Sequence, residues 1–102
     1  MDEHRRRTRA RTNLPVSVKY GGMYEMHGNA VNISTRGMLV ELPRRLDTGS
    51  VVELVFRLPT QVIHADGVWL RGRAHVLRVE PLAAGNFGVA TAIQDYEVFR
   101  QA

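Results

Sequence analysis

Two short polar segments of this 102-residue chain stand out because core packing does not explain their residue types. The first contains Arg7 and Arg11, four positions apart, and the second contains Asn32, Ser34 and Gly37 in an NxSxxG pattern. A guanidinium is a planar fork of donors that suits phosphate and guanine edges, and it also stacks on flat rings. The arginine segment therefore predicts an anionic or nucleotide-like partner, with a solvated basic tail as the alternative.

The positive charge of the chain is concentrated near its N-terminus. The formal net charge is +4, and residues 1–11 hold five arginines against two acidic residues, which leaves +3 in that segment. Lys19 is the single lysine. The chain has no cysteine, so neither a disulfide nor a thiolate metal site is expected. No apolar run has the roughly 18 residues that span a bilayer, and we expect a soluble cytoplasmic protein.

Alternation of apolar and polar residues predicts short strands, and both polar segments fall at strand ends, where binding residues concentrate. The predicted strands cover residues 14–20, 23–33 with a bend at Gly28, 38–42, 52–58, 61–71 and 73–79 meeting near Gly72, and 87–93. Turns are predicted at Gly21-Gly22, at residues 43–49 and at Gly85-Asn86. No long amphipathic helix separates the strands, which disfavours a parallel sheet.

These elements predict an all-β fold, either a sandwich or a small barrel. Of the two we expect an antiparallel barrel of six or seven strands. The length suits one domain. We expect a basic N-terminal arm at residues 1–12 and the barrel at residues 13–93. Residues 94–102 are expected to form a tail or a short helix that Asp95 opens.

The two motifs, in this order and spacing, resemble those of the PilZ domain family, in which RxxxR precedes [D/N]xSxxG. Twenty residues lie between Arg11 and Asn32, a spacing similar to that of the family. Residues 12–18 resemble the first strand of the family, Met38-Leu39-Val40 its third, and residues 86–90 its closing strand. The resemblance covers about residues 5–93.

The resemblance implies a PilZ-type barrel that binds cyclic di-GMP, a bacterial second messenger, and that needs no cofactor or metal. The implied ligand-binding residues are Arg6, Arg7, Arg11, Asn32, Ser34 and Gly37, with Arg36 as a further candidate for phosphate. Arg5 and Arg9 form an alternative RxxxR pair. We prefer Arg7 and Arg11 because the first strand begins straight after Arg11, as it does in the family.

The chemistry of cyclic di-GMP suits these residue types. Arginine can pair with phosphate, donate to O6 and N7 of guanine, or stack on its ring. The N1–H and N2–H groups of guanine need acceptors, which the oxygens of Asn32 and Ser34 can supply. Gly37 permits a left-handed backbone or close approach of a base plane, and Ile33 is expected to point into the core. Ordinary turn capping by Asn32 and Ser34 is the alternative.

Enzymatic activity is not expected from this sequence. No nucleophile accompanies His64 and Asp66, and no glycine-rich phosphate loop precedes a helix. Trp69 is expected to pack in the core or at its rim rather than to stack on a base. Metal-ligand spacing is missing from the four histidines, His4, His27, His64 and His75.

The expected partners are cyclic di-GMP and a downstream protein, with the chain as a monomer or a homodimer. We expect the arginine arm to fold over the ligand and to present a new surface to that protein. A small barrel that binds RNA or DNA through its basic arm is one alternative, although the chain has only seven aromatic residues to serve as stacking platforms. A ligand-free PilZ-like scaffold for protein interaction is the other.

Overall fold

Six antiparallel strands close into a barrel in the computed structural model, which describes residues 10–34, 36–57 and 68–100. They are β1 (Ala10–Tyr20), β2 (Tyr24–Ile33), β3 (Gly37–Leu42), β4 (Val51–Arg57), β5 (Val68–Pro81) and β6 (Phe87–Arg100), with a 3-10 turn at Ala83–Gly85. Neighbouring strands follow the order β1-β2-β3-β6-β5-β4, and β4 returns to β1. The prediction of an all-β antiparallel barrel is confirmed. Within the described ranges, no helix has the length and apolar character of a membrane span.

Side chains at alternate strand positions fill the barrel. In β4, Val52, Leu54 and Phe56 are buried, and the residues between them are half-buried. β1 contributes Val16 and Val18 in the same way. Leu54 is 0% exposed and Phe56 2%, so burial of each side chain stabilises the fold by roughly 1.5–3 kcal/mol. The period of two that predicted the strands is therefore the same period that builds the core.

The hairpin predicted at Gly21-Gly22 joins β1 to β2. Both glycines have positive φ, +62° and +77°, which other residues adopt only with steric strain. Tyr20 pairs with Tyr24 across the turn, and their rings stack with centroids 5.5 Å apart. The turn prediction is confirmed, and the pairing that starts here runs along both strands to the opposite end of the barrel.

The strand break predicted near Gly72 is wrong. Gly72 lies inside β5, opposite Leu54 of β4 and Tyr96 of β6. A Cβ at this position would lie 3.3 Å from the Ile93 side chain, so this glycine serves close packing against β6 rather than a turn. Residues 61–67 of the predicted strand lie outside the described residues.

The helix or tail predicted for residues 94–102 is also wrong over its described part, because β6 continues to Arg100. The apolar Tyr96 and Val98 of this segment alternate with charged residues and pair with β5. The edge of β5 offers partners to every second N–H and C=O group along the segment, and this non-local pairing outweighs the local helix signal of Asp95.

Candidate functional site

β1 brings one of the predicted arginines into the barrel wall. The strand begins at Ala10, ahead of the predicted start of the barrel at residue 13, so Arg11 belongs to β1 rather than to the arm. The physical reason is that the end of β2 offers the backbone of residues 10 and 11 a partner strand, with Arg11 opposite Asn32. The backbone register therefore joins the two sequence motifs. Arg6 and Arg7 lie outside the described residues.

A β-bulge in β2 turns Asn32 away from the core. Ala30 pairs with Val40 of β3, and Asn32 pairs with the next residue, Leu39, so Val31 has no opposite residue. Because side chains alternate along a strand, one extra residue reverses the faces of all that follow. Asn32 is consequently half-buried on the outer side, and Ile33 packs against the core as predicted.

Gly28, where a bend was predicted, has a different function. It pairs regularly with Val16 of β1, and the irregularity of β2 lies at Val31 instead. A Cβ on Gly28 would collide with the carbonyl oxygen of Glu41 in β3. Gly28 thus permits close contact between β2 and β3, and the pairing of β1 with β2 has no bulge at this position.

The turn between β2 and β3 is organised by Ser34. Its N–H donates to the carbonyl of Gly37 at 3.0 Å, and its hydroxyl donates to the same carbonyl at 3.4 Å. The N–H of Arg36 donates to the Ser34 hydroxyl oxygen at 3.4 Å. Turn capping, the alternative for this residue, is therefore present. A hydroxyl oxygen has two lone pairs, so capping leaves one acceptor site for a ligand.

Gly37 is required by the backbone of the neighbouring strand. It pairs with Ala92 of β6, and a Cβ would collide with the carbonyl oxygen of Thr91. Its φ is not positive, so the left-handed conformation considered for it is wrong. The close approach that the structure shows is that of the β6 backbone, and close approach of a base plane stays a prediction. The N–H of Ile93 donates to the carbonyl of Arg36 at 2.8 Å, which ties the turn to β6.

The three residues of the second motif line one cleft of about 200 Å³ on the outer side of the barrel. Its other walls include side chains that the sequence interpretation did not single out: Leu39 of β3, Ala90 of β6, and Leu77 and Arg78 of β5. Arg36 lies on the adjoining turn with an exposed side chain. None of the residues that line the cleft is acidic.

A second bulge explains how β5 reaches this cleft. Val76 pairs with Thr91 of β6 and Arg78 pairs with the next residue, Ala90, so Leu77 is the extra residue. The sequence holds a signal for it, because the inward positions run Ala74, Val76 and then Val79. That spacing of three, rather than two, inside an alternating strand is the mark of a bulge.

Strand register connects five residues, one from each of five strands, in one row. Arg11 pairs with Asn32, Asn32 with Leu39, Leu39 with Ala90, and Ala90 with Arg78. The row crosses five neighbouring strands, β1-β2-β3-β6-β5, near one end of the barrel. The backbone register therefore places Arg11 of the first motif and Asn32 of the second in one row that ends at Arg78.

Trp69 and the candidate metal ligands are the remaining side chains that the sequence analysis discussed. Trp69 is half-buried and stacks on Phe99 with ring centroids 6.4 Å apart, which agrees with rim packing. In the part of the chain that the structure describes, no three His, Asp or Glu side chains converge as metal ligands. His64 and Asp66 lie outside that part.

Comparison with known proteins agrees with this architecture. The sequence matches the model of the PilZ domain over residues 3–98. The fold is similar to the Bacillus subtilis inhibitor of motility (MotI/DgrA), with a TM-score of 0.70 at 20% sequence identity. The match covers 86% of this chain and 41% of that chain, so this chain spans about two fifths of that protein. No curated protein matches the sequence.

Proposed function

Because this chain belongs to the PilZ domain family, a family of cyclic di-GMP receptor and adaptor modules rather than enzymes, we propose that it binds cyclic di-GMP. The observation that carries the proposal is the cleft in which Asn32, Ser34 and Gly37 meet, with Arg11 next in register and no carboxylate among the lining residues. Such a surface suits a dianionic ligand that presents both phosphate acceptors and guanine donors.

The proposed contacts follow from hydrogen-bond chemistry. The amide oxygen of Asn32 and the free lone pair of the Ser34 hydroxyl accept from the N1–H and N2–H groups of one guanine. The guanidinium groups of Arg6, Arg7 and Arg11 pair with phosphate or with the O6 and N7 acceptors of guanine. The Ser34 hydroxyl is held by its bonds to the turn, so its orientation is set before the ligand arrives.

We also propose that binding changes the arm and signals to a partner protein. Residues 1–9 contain four arginines and few apolar side chains, a composition that suits an anionic partner rather than a hydrophobic core. The ligand supplies that partner, and the closed arm forms a new surface that a downstream protein recognises. Protection from cleavage near Arg9 when ligand is added tests this step, and equal cleavage rates with and without ligand would contradict it.

The experiment that tests the receptor function is isothermal titration of cyclic di-GMP into the protein, with GTP and cyclic AMP as controls. Saturable binding of the cyclic dinucleotide alone is expected, and its stoichiometry distinguishes one ligand from a stacked pair. The absence of binding at micromolar ligand in this titration and in a second method would overturn the proposal. Binding to polynucleotides with a steep salt dependence would favour the nucleic-acid alternative instead.

Arg11→Ala identifies the arginine contribution within the same titration. Loss of a charge-assisted hydrogen bond is expected to weaken binding by about 1.5–3 kcal/mol, or roughly 10- to 150-fold. Arg44→Ala is the matched control, because Arg44 is an exposed arginine in the loop after β3. Equal affinities of the two variants would remove Arg11 from the site.

A further inference from the structure

Two bulges flank the same pair of strands. The bulge of β2 sets Val31 and Asn32 against Leu39 of β3, and the bulge of β5 sets Leu77 and Arg78 against Ala90 of β6. Leu39 and Ala90 are themselves cross-strand partners. The two bulges therefore lie at the same level of the strand register, one on each side of β3 and β6. We call the surface of β3 and β6 between them the floor of the cleft. Bulges re-aim side chains, and they occur often beside binding sites.

The β5 bulge presents two side chains that the fold does not use. Leu77 is 58% exposed, although aliphatic residues at regular positions of β5, such as Val76, are buried. Arg78 is also exposed and has no ion pair among the described residues. Arg71 of the same strand differs, since its guanidinium contacts Glu53 and Glu97. An exposed apolar side chain, Leu77, and a cationic side chain without an ion pair among the described residues, Arg78, therefore lie side by side in the lining of the cleft.

We propose that the β5 bulge is the second wall of the ligand site, with Arg78 binding a phosphodiester of the cyclic dinucleotide and Leu77 packing on a purine face. This inference rests on the proposed function. The floor between the walls is apolar, which suits a base plane, and the cleft lining holds no carboxylate that would compete with phosphate for the guanidinium.

The separation of the walls indicates the kind of ligand that uses both. β2 and β5 are three strand intervals apart across β3 and β6, or about 14 Å for strands spaced at about 4.8 Å in a flat sheet. A ligand that contacts Asn32 on one wall and Arg78 on the other must carry its polar groups at two distant points. A cyclic dinucleotide, with two bases and two phosphates, meets this requirement.

The test compares the affinity of cyclic di-GMP for the unchanged protein and for three variants. Arg78→Ala is expected to bind about tenfold or more weakly, since a charge-assisted hydrogen bond is lost. Arg78→Lys is expected to keep part of the affinity, because it retains the charge without the planar fork. Arg73→Ala, the exposed arginine of β5 outside this cleft, is expected to bind like the unchanged protein.

Salt dependence and thermal unfolding complete the test. If Arg78 contacts phosphate, the affinity of Arg78→Ala falls less steeply with added salt than that of the unchanged protein. Thermal unfolding shows whether each variant is folded. If Arg78→Ala is unfolded, the affinity of Arg78→Lys is compared with that of the unchanged protein instead. Absence of binding by the unchanged protein would defeat the proposed function itself. Binding by the unchanged protein with equal affinity in Arg78→Ala and Arg73→Ala would defeat only this inference.

Discussion

Two clefts of this barrel differ in size and in charge. The larger, about 460 Å³, lies at the Gly21-Gly22 hairpin, and the smaller, about 200 Å³, holds the NxSxxG motif. The larger cleft has both acidic and basic walls, because Glu25, Lys19, Glu53 and Arg73 follow one another in cross-strand register. The smaller cleft contains Arg78 and no acidic residue among those that line it.

The comparison teaches that charge, rather than volume, distinguishes the cleft that we propose as the nucleotide site from the other cleft. In the strand register each charged residue of the larger cleft lies opposite one of the other sign, so the four charges of the row sum to zero. A dianion that entered there would approach Glu25 and Glu53. In the smaller cleft the single cationic residue of the lining, Arg78, has no acidic residue beside it in that lining, and an anion is the natural counterpart.

Glycine substitutions give the largest expected difference between the two regions. Gly37→Ala places a Cβ against the Thr91 carbonyl, which is expected to lower the free energy of unfolding by about 3 kcal/mol and to weaken ligand binding by displacing the Ser34 turn. Gly22→Ala meets no atom within 4 Å, but its φ is +77°, and strain of about 1 kcal/mol is expected with unchanged binding. Urea unfolding and ligand titration measure both effects. If Gly37→Ala and Gly22→Ala lost equal amounts of stability, Gly37 would not be packed more closely than Gly22.

An added carboxylate tests the charge argument directly. Ala90→Asp introduces an acidic group into the floor of the smaller cleft, and repulsion of the ligand phosphates is expected to weaken binding roughly tenfold. Val51→Asp is the matched control, since Val51 is an exposed residue of the larger cleft, and its affinity is expected to stay unchanged. If Val51→Asp weakens binding more than Ala90→Asp does, the ligand uses the larger cleft.

The smallest expected effect concerns the support beneath the smaller cleft. The buried Thr91 hydroxyl donates to the carbonyl of Met38 at 2.8 Å and thereby links β6 to β3. Thr91→Val keeps the shape and removes the donor, which is expected to cost about 1 kcal/mol of unfolding free energy. Chemical denaturation measures it. An unchanged stability would show that the strand pairing alone holds this floor.

Much of the fold followed from local pattern. Period-two alternation identified β1 and β4 to within a few residues, because a barrel strand has one face in the core and one in solvent. β2 and β3 were predicted with similar bounds from less regular apolar runs between turn signals. The Gly21-Gly22 turn was also predicted, since adjacent glycines supply the positive φ that its hairpin needs. The length of β6 was not predicted, because residues 94–100 adopt the strand through pairing with β5 rather than through their own propensity.

The candidate site likewise contains residues that were predicted from the sequence and residues that were missed. Asn32, Ser34 and Gly37 were predicted to act together because they are neighbours in sequence, and the structure places all three in one cleft. Leu77 and Arg78 were missed because no residue near them in sequence belongs to either motif. The reason for Gly37 was also missed, since the carbonyl that excludes a Cβ belongs to Thr91, far along the chain.

The sequence by itself determined the strand pattern, the basic N-terminal segment, the two motifs and the resemblance to the PilZ family, because all of these depend on residue type and short spacing. Only the tertiary structure decided that the bulges of β2 and β5 face each other across β3 and β6, and that Arg11 and Arg78 occupy opposite ends of one row. Bulge position and strand order depend on which strands pair, and pairing joins residues far apart in the chain.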